Sequence, residues 1–331
     1  WSSDVCSSDL KKQLLIAAVA ATMGTAAMAD VSISGQAKAN YTNTDSTTES
    51  SDTNIFKHEV DVNVTGKSGD TTVLFQMTNT SSTNTATEAD YVEIVESSIS
   101  SKIGDVSVKF GQFATTSDSM LSDATDANIA AGRFQASTTV GGVTLKFIDQ
   151  NATGEALIIS GDVAGVSLSH KIGNGGANGT DDYTDTVVSG SFNGISAKLR
   201  SKDYDDADAS DLSDMTSVEV SGKIGGATVT YAQSDAAHAS DVYSTDGVLG
   251  AYASINNVSG VKIASSVAGN AVSMTVASTE LTDGATSNDY TKFVVTRPLA
   301  SGATFEATYT DADMATGVDT KTLDLELAVK F

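Results

Sequence analysis

From Lys321 to Phe331 the chain alternates without a break. Leu323, Leu325, Leu327, Val329 and Phe331 fall on one parity, and Asp324, Glu326, Ala328 and Lys330 on the other. A period of two places successive side chains on opposite faces of an extended strand, so this segment has one apolar face and one polar face. Roughly ten residues is also the length at which a tilted strand crosses a bilayer. A half-buried edge strand of a soluble sandwich carries the same alternation, so the rest of the chain has to decide between the two.

The pattern recurs. Val31, Ile33, Gly35, Ala37, Ala39 and Tyr41 share one parity, and Phe56, His58, Val60, Val62 and Val64 share the next. A tight turn over Gly66–Asp70 leads to Val73, Phe75 and Met77, and a polar loop runs from about Thr78 to Ala89. Tyr91–Ser100 pairs with Val106–Phe113 across Lys102-Ile103-Gly104-Asp105. Further hairpins join Gly132–Ser137 to Val143–Asp149, Ala156–Gly161 to Val166–Ile172, and Met215–Gly222 to Ala227–Tyr231. Thr184–Phe192 meets Ile195–Ser201 across Asn193-Gly194, a strong two-residue hairpin signal. Another unit begins at Gly247–Ile255 and runs through Val261–Ala277, and Asp289–Arg297 pairs with Ala303–Thr310 across Pro298–Gly302.

Polar segments rich in Asp, Asn, Ser and Thr lie between these hairpins, at Thr42–Asn54, Gly173–Asp182, Asp203–Asp214 and Asp235–Asp246. Short turns at one rim and longer loops at the other are the asymmetry of a transmembrane antiparallel β-barrel with short periplasmic turns and longer extracellular loops. Eight hairpin units with a first and a last strand count to eighteen strands. If one unit is over-split the count is sixteen; we take sixteen as the expectation, with eighteen as the alternative.

The front of the chain supplies a different signal. Lys11 and Lys12, the apolar run Leu14–Ala21 and the small-residue site Ala27-Met28-Ala29 read as a signal peptide over residues 11–29, which places the mature start at Asp30. Residues 1–10 precede that basic start and fit no element; they read as a cloning scar or assembly artefact. Residues 30–331 form a single barrel domain on this reading. The only Cys (Cys6) and the only Trp (Trp1) fall in the first ten residues, so the mature chain has no disulfide and no thiolate chemistry. Without Asp4, Asp9, Lys11 and Lys12 it keeps 40 acids against 17 bases, a surface that repels nucleic acid. The single proline, Pro298, suits a chain made almost wholly of hydrogen-bonded strands.

Asp90–Phe113 reads D-Y-V-E-I-V-E-S-S-I-S-S-K-I-G-D-V-S-V-K-F-G-Q-F. It resembles the aromatic-led strand, short turn and Gly-Gln strand end that precede the constriction loop of Gram-negative general porins. The signal peptide, the first strand Val31-Ser-Ile-Ser-Gly35 and the terminal Phe331 are similar to that family too. The resemblance implies an outer-membrane homotrimer in contact with lipid, engaged by the barrel-assembly machinery through Phe331, with its third loop folded into the lumen. The segment Ala114–Ala131 stands where that loop belongs, so the resemblance points to Asp118, Asp123 and Asp126 as constriction residues. The family often carries Gly and Phe beside its loop acids; here the neighbours are Ser, Met, Leu and Ala. A solvated outer loop is the alternative placement for these aspartates.

If the apolar parity faces lipid, the other faces the lumen. Lys38, Lys57, Lys109, Arg133, Lys146, Lys171, Lys198 and Arg200 fall on that inward parity. A charge on the lipid face at mid-depth costs roughly 2–4 kcal/mol, so inward bases are what any barrel requires. Facing loop acids across a narrow gap, they would set up a transverse field that orients polar solutes. His58, His170 and His238 are too scattered for a metal site, and no cofactor is expected. The six aspartates of Asp203–Asp214 could hold Ca²⁺ but lack the spacing of a twelve-residue calcium loop, and a solvated charged loop is the alternative. No hydrolase, metalloprotease or phosphate-loop motif occurs, which argues against an enzyme. The expected function is passive diffusion of ions and small hydrophilic solutes. The rivals are a solute-specific porin for a sugar or organic acid, a secreted Ser/Thr/Asp-rich adhesin or surface-layer protein, and a barrel lipase.

Overall fold

The computed structural model describes residues 30–47, 53–82, 91–113, 130–149, 154–175, 181–205, 214–235, 255–281, 287–314, 317 and 319–331. The expected leader segments over 1–29 lie outside the described residues, as do Asp118, Asp123 and Asp126. The described residues form eighteen strands and no helix. These are β1 (Asp30–Ser46), β2 (Thr53–Ser68), β3 (Thr71–Ser82), β4 (Tyr91–Ile103), β5 (Val106–Phe113) and β6 (Ala130–Val140). They continue with β7 (Val143–Asp149), β8 (Glu155–Val163), β9 (Val166–Gly175), β10 (Asp181–Phe192), β11 (Ile195–Asp205) and β12 (Met215–Ile224). The last are β13 (Ala227–Asp235), β14 (Ile255–Val267), β15 (Asn270–Leu281), β16 (Ser287–Pro298), β17 (Ala303–Asp313) and β18 (Thr320–Lys330).

Every strand pairs antiparallel with its sequence neighbours, and β18 returns to pair with β1 over Gln36–Ser46, so the sheet closes on itself. The expected sixteen strands are corrected to eighteen: each hairpin unit is a separate pair and none was over-split. The Gly247–Ala277 unit hid a turn at Ala268-Gly269 that now divides β14 from β15. From the sequence that unit counts as a pair of strands, but with no turn placed within it, and its first residues, 247–254, lie outside the described residues.

Turn chemistry explains the short rim. Successive strands meet through two-residue connections at Gly69-Asp70, Gly104-Asp105, Gly141-Gly142, Ala164-Gly165, Asn193-Gly194, Gly225-Gly226 and Ala268-Gly269. At Asn193-Gly194 both central φ values are positive, 51° and 79°, which type I′ hairpins demand and Asn-Gly supplies. The strands therefore run further into the expected turns than the sequence implied: β2 continues to Ser68 and β4 to Ile103.

The two faces separate by polarity. Ile33, Phe110, Leu199 and Ile263 stand 46–56% exposed on the outward parity. An apolar belt of this kind would be a liability in water and is the expected surface of a barrel in hydrocarbon. Closure is fastened at both rims of the β1–β18 seam. At the turn rim the Gly35 N–H donates to the Phe331 carbonyl (2.8 Å) and the Phe331 N–H to the Gly35 carbonyl (3.0 Å). At the loop rim the Thr47 N–H donates to the Asp319 carbonyl (3.0 Å), and the Asp319 N–H donates back to Thr47 Oγ1 (2.9 Å). Phe331 thus extends the closing strand that carries Leu323, Leu325, Leu327 and Val329 on its outward face.

Candidate functional site: the inner wall

The inner wall is built from the parity opposite the apolar belt, and its charges are sorted by strand. Around the seam, β2 contributes Glu59 and Asp61, β18 contributes Asp324 and Glu326, and β17 contributes Glu306, with the bases Lys292 on β16 and Lys330 on β18 on the same inner face. Glu306 and Glu326 stand directly opposite one another on neighbouring strands, a like-charge pair. Most of these carboxylates are held by neutral donors. Gln36 Nε2 donates to Asp61 Oδ2 (2.7 Å), Asn40 Nδ2 to Glu326 Oε2 (3.1 Å) and Thr296 Oγ1 to Glu306 Oε2 (2.8 Å). The Thr42 hydroxyl donates to Asp324. Neutral donors hold a carboxylate in place without bringing an opposing charge. Lys38 differs: its ammonium pairs with Glu59 Oε1 at 2.8 Å. Lys57, opposite Asn40 in the register, is exposed toward the loop rim.

In a closed ring of eighteen strands, β10 lies nine strands from β1 and so faces it across the lumen. There the inner face is cationic. Lys171 on β9 and Lys202 on β11 place their ammonium groups 4.9 and 5.0 Å from the Tyr183 ring centroid on β10. Asp185, two residues further along β10, accepts from Arg200 Nε (2.8 Å) and Nη2 (2.7 Å) in a bidentate pair. Ile158 on β8 and Val187 on β10 occupy the same inner face, opposite Lys171 and Arg200 in the register. Toward the turn rim, Lys198 and Glu219 stand cross-strand beside a niche of about 390 Å³ lined by Ser167, Ser189, Ser191, Ser196 and Ser221.

Between the two arcs, Lys109 on β5 pairs with Glu96 at 2.9 Å and sits 4.3 Å from the Phe113 ring centroid. Arg133 on β6 is buried at 3% exposure and donates from Nη1 to the Phe113 carbonyl at 2.5 Å. Lys146 on β7 stands opposite Ser137 and Ile158. A bulge at Val95 lets both Glu93 and Glu96 face inward although they are three residues apart.

The acidic side of the wall was missed as such. Asp324 and Glu326 were seen on the polar parity of the last strand, but the opposing acids were sought on the loop. Lys202, also on the inward parity, lay beyond the expected end of its strand at Ser201. Alternation finds all of these residues; which of them face one another follows only from the strand number. The Asp203–Asp214 stretch falls largely outside the described residues, and the described residues contain no group of His, Cys, Asp or Glu arranged to hold a metal ion. His170 Nδ1 and Thr186 Oγ1 are hydrogen-bonded at 2.8 Å on the outward face, and His58 is exposed on that face.

No protein-family model matches the sequence, and no curated protein matches it. Solved structures do match the fold. OpdQ of Pseudomonas aeruginosa superposes with a TM-score of 0.70 at 10% identity, covering 92% of this chain and 99% of its own. The outer membrane protein OpdK of the same organism gives 0.70 at 11% identity, covering 91% and 98%. OccAB4 of Acinetobacter baumannii gives 0.67 at 9% identity over 91% and 98%. The agreement spans nearly the full length of each chain, and with the closed sheet, the apolar belt and the charged inner wall it assigns the architecture: this chain has the eighteen-stranded β-barrel fold of Gram-negative outer-membrane porins.

Proposed function

We propose that the chain is an outer-membrane porin through which ions and small hydrophilic solutes diffuse passively, without bond chemistry. One observation carries this reading: a sheet closed by β1–β18 pairing presents apolar side chains outward and ionised side chains inward. Bilayer and lumen are the two solvents that such a division matches. The arcs of opposite charge on facing walls give the lumen a transverse field, which orients dipolar solutes as they pass. Placement of Asp118, Asp123 and Asp126 at a constriction, assembly as a homotrimer and recognition of Phe331 by the barrel-assembly machinery rest on the resemblance to general porins. The test is to refold residues 30–331 in detergent, compare gel mobility before and after boiling, and record planar-bilayer conductance. A heat-dependent mobility shift and a stable ohmic pore are expected. A species with neither sinks the proposal.

A second reading has its own observation. The three cations Lys171, Arg200 and Lys202 gather around Tyr183 and a single carboxylate, Asp185, beside Ile158 and Val187. Cations close to an aromatic ring and aliphatic side chains suit an organic anion that has an apolar body. OpdK of P. aeruginosa has been solved with vanillate. Vanillate added to one side of the bilayer is expected to block this pore saturably, and block that survives neutralising Lys171, Arg200 and Lys202 together removes the site from the reading.

A further inference from the structure

The outer wall carries a groove of about 630 Å³ near the loop rim of β7–β11 that diffusion through the lumen does not use. Its floor is the backbone of Ala156, Gly173 and Tyr183, which pair across β8, β9 and β10. These three lie on the inner parity, so outward side chains of the flanking positions form the groove's sides. On the membrane side stand Phe147, Leu157 and Ile172, which belong to the apolar belt; Leu157 and Ile172 are 41% and 48% exposed. On the rim side stand Glu155 and Asp182, with Asp203 closing one end, all three exposed. The rim is tied in place where the Glu155 N–H donates to Asn174 Oδ1 at 2.6 Å.

The charge on this part of the outer wall has one sign. Among the described residues of β7–β11, every Lys and Arg stands on the inner parity: Lys146, Lys171, Lys198, Arg200 and Lys202. Outward, the charged groups that line the groove are carboxylates, beside the neutral Asn174 and Thr184. An occupant at this height touches the apolar belt below and carboxylates above, so it must be amphiphilic, and its head must be positive.

We propose that the groove seats a membrane amphiphile with an ammonium head. Its hydrocarbon chain lies over Leu157 and Ile172 and along the belt below them, and its head is held at Asp182, between Glu155 on one side and Asp203 on the other. An ammonium beside Asp182 donates to that carboxylate, while Glu155, two strands away, and Asp203, one strand away, add attraction between unit charges, which strengthens where hydrocarbon displaces water. A phosphate or sulfate head meets repulsion from the same groups. The proposal rests on the reading that the apolar belt faces lipid.

The test uses the barrel over residues 30–331 in decyl maltoside, with decylammonium as the probe and native mass spectrometry as the readout. The wild type is expected to retain one decylammonium. The triple variant Glu155→Gln, Asp182→Asn, Asp203→Asn is expected to bind it about tenfold more weakly, because the charges that select the head are gone. Decyl sulfate is expected to be retained by neither. Equal retention of decylammonium by both proteins, or retention of decyl sulfate by the wild type, overturns the proposal. So does a change in oligomer mass in the triple variant with probe binding intact, because the groove is then a protein contact. The altered side chains point away from the lumen, so the variant keeps its conductance and heat-dependent mobility, which shows that it is folded. If the wild type itself makes no pore, the channel reading fails; if it makes a pore and retains no probe, the groove proposal alone fails.

Discussion

The wall at the β18–β1 seam and the wall around β10 arise from the same alternation and face one another, yet they hold their charges by different means. At the seam, amide and hydroxyl groups of Gln36, Asn40, Thr42 and Thr296 donate hydrogen bonds to the carboxylates of Asp61, Glu326, Asp324 and Glu306, and such neutral donors bring no opposing charge. Around β10, Asp185 accepts a bidentate pair from Arg200, while Lys171 and Lys202, opposite Asp185 in the register, lie beside the Tyr183 ring. Partly exposed ion pairs such as Lys38–Glu59 and Arg200–Asp185 contribute only about 0.2–1 kcal/mol each to stability. Their arrangement therefore matters more for the potential inside the barrel than for holding it shut. Closure comes from backbone pairing, and the two walls differ there as well.

That structural difference gives the largest expected effect. A Cβ on Gly35 would clash with the Asp61 carbonyl oxygen and lie 2.7 Å from Cζ of Phe331, so the seam has no room for it. On β12, away from the seam, a Cβ on Gly222 would meet Ile195 Cγ1 at 3.6 Å and the Gly194 carbonyl at 3.7 Å, which is ordinary contact. Gly35→Ala is expected to cost about 1–3 kcal/mol through forced displacement of the seam. Gly222→Ala is expected to stay within about 0.5 kcal/mol of the parent. Urea unfolding in detergent, with gel mobility as a second probe, compares them. Equal losses would mean that the seam is no tighter than the wall across from it.

Why the sequence showed one half of this comparison and hid the other has a physical explanation. A strand's parity is local: Lys38, Lys109 and Lys171 are read onto the inner face from their immediate neighbours. The opposing acids are just as local, but their role is not. Only the closure of eighteen strands puts Asp61 and Asp324 across from Arg200 and Lys202. A count of sixteen would pair different walls. Turn positions escaped for a related reason. Asn193-Gly194 announces itself, whereas Ala268-Gly269 adopts the same positive-φ geometry with a residue that has no preference for it. The bulge at Val95 was equally silent, because an inserted residue leaves no compositional trace and still redirects Glu93.

The next effect sharpens the contrast in charge. A unit charge about 10 Å from a permeating ion changes its energy by roughly 0.4 kcal/mol at the dielectric constant of water, about twofold in occupancy. Neutralising Asp61, Asp324 and Glu326 together is expected to shift permeability toward anions by several-fold at low salt. Neutralising Lys171, Arg200 and Lys202 is expected to shift it by a similar factor toward cations. Reversal potentials in a salt gradient measure both, and the shifts shrink as ionic strength rises. Shifts of the same sign in the two variants would show that the walls do not act as opposed charges on the permeating ion.

The smallest effect separates the walls from the turns beneath them. The β10–β11 turn uses Asn193-Gly194 with Asn193 at φ 51°, and the β14–β15 turn uses Ala268-Gly269 with Ala268 at φ 50°. The left-handed region penalises alanine more than asparagine, whose short polar side chain bonds locally. Ala268→Asn is therefore expected to stabilise the barrel by about 0.5 kcal/mol, and Asn193→Ala to destabilise it by a similar amount. Neither touches an inner-wall charge, so reversal potentials should stay at the parent value in both. A selectivity change in Asn193→Ala would mean that the turn sets the position of the Arg200 and Lys202 wall, and the two regions could then no longer be treated as separable.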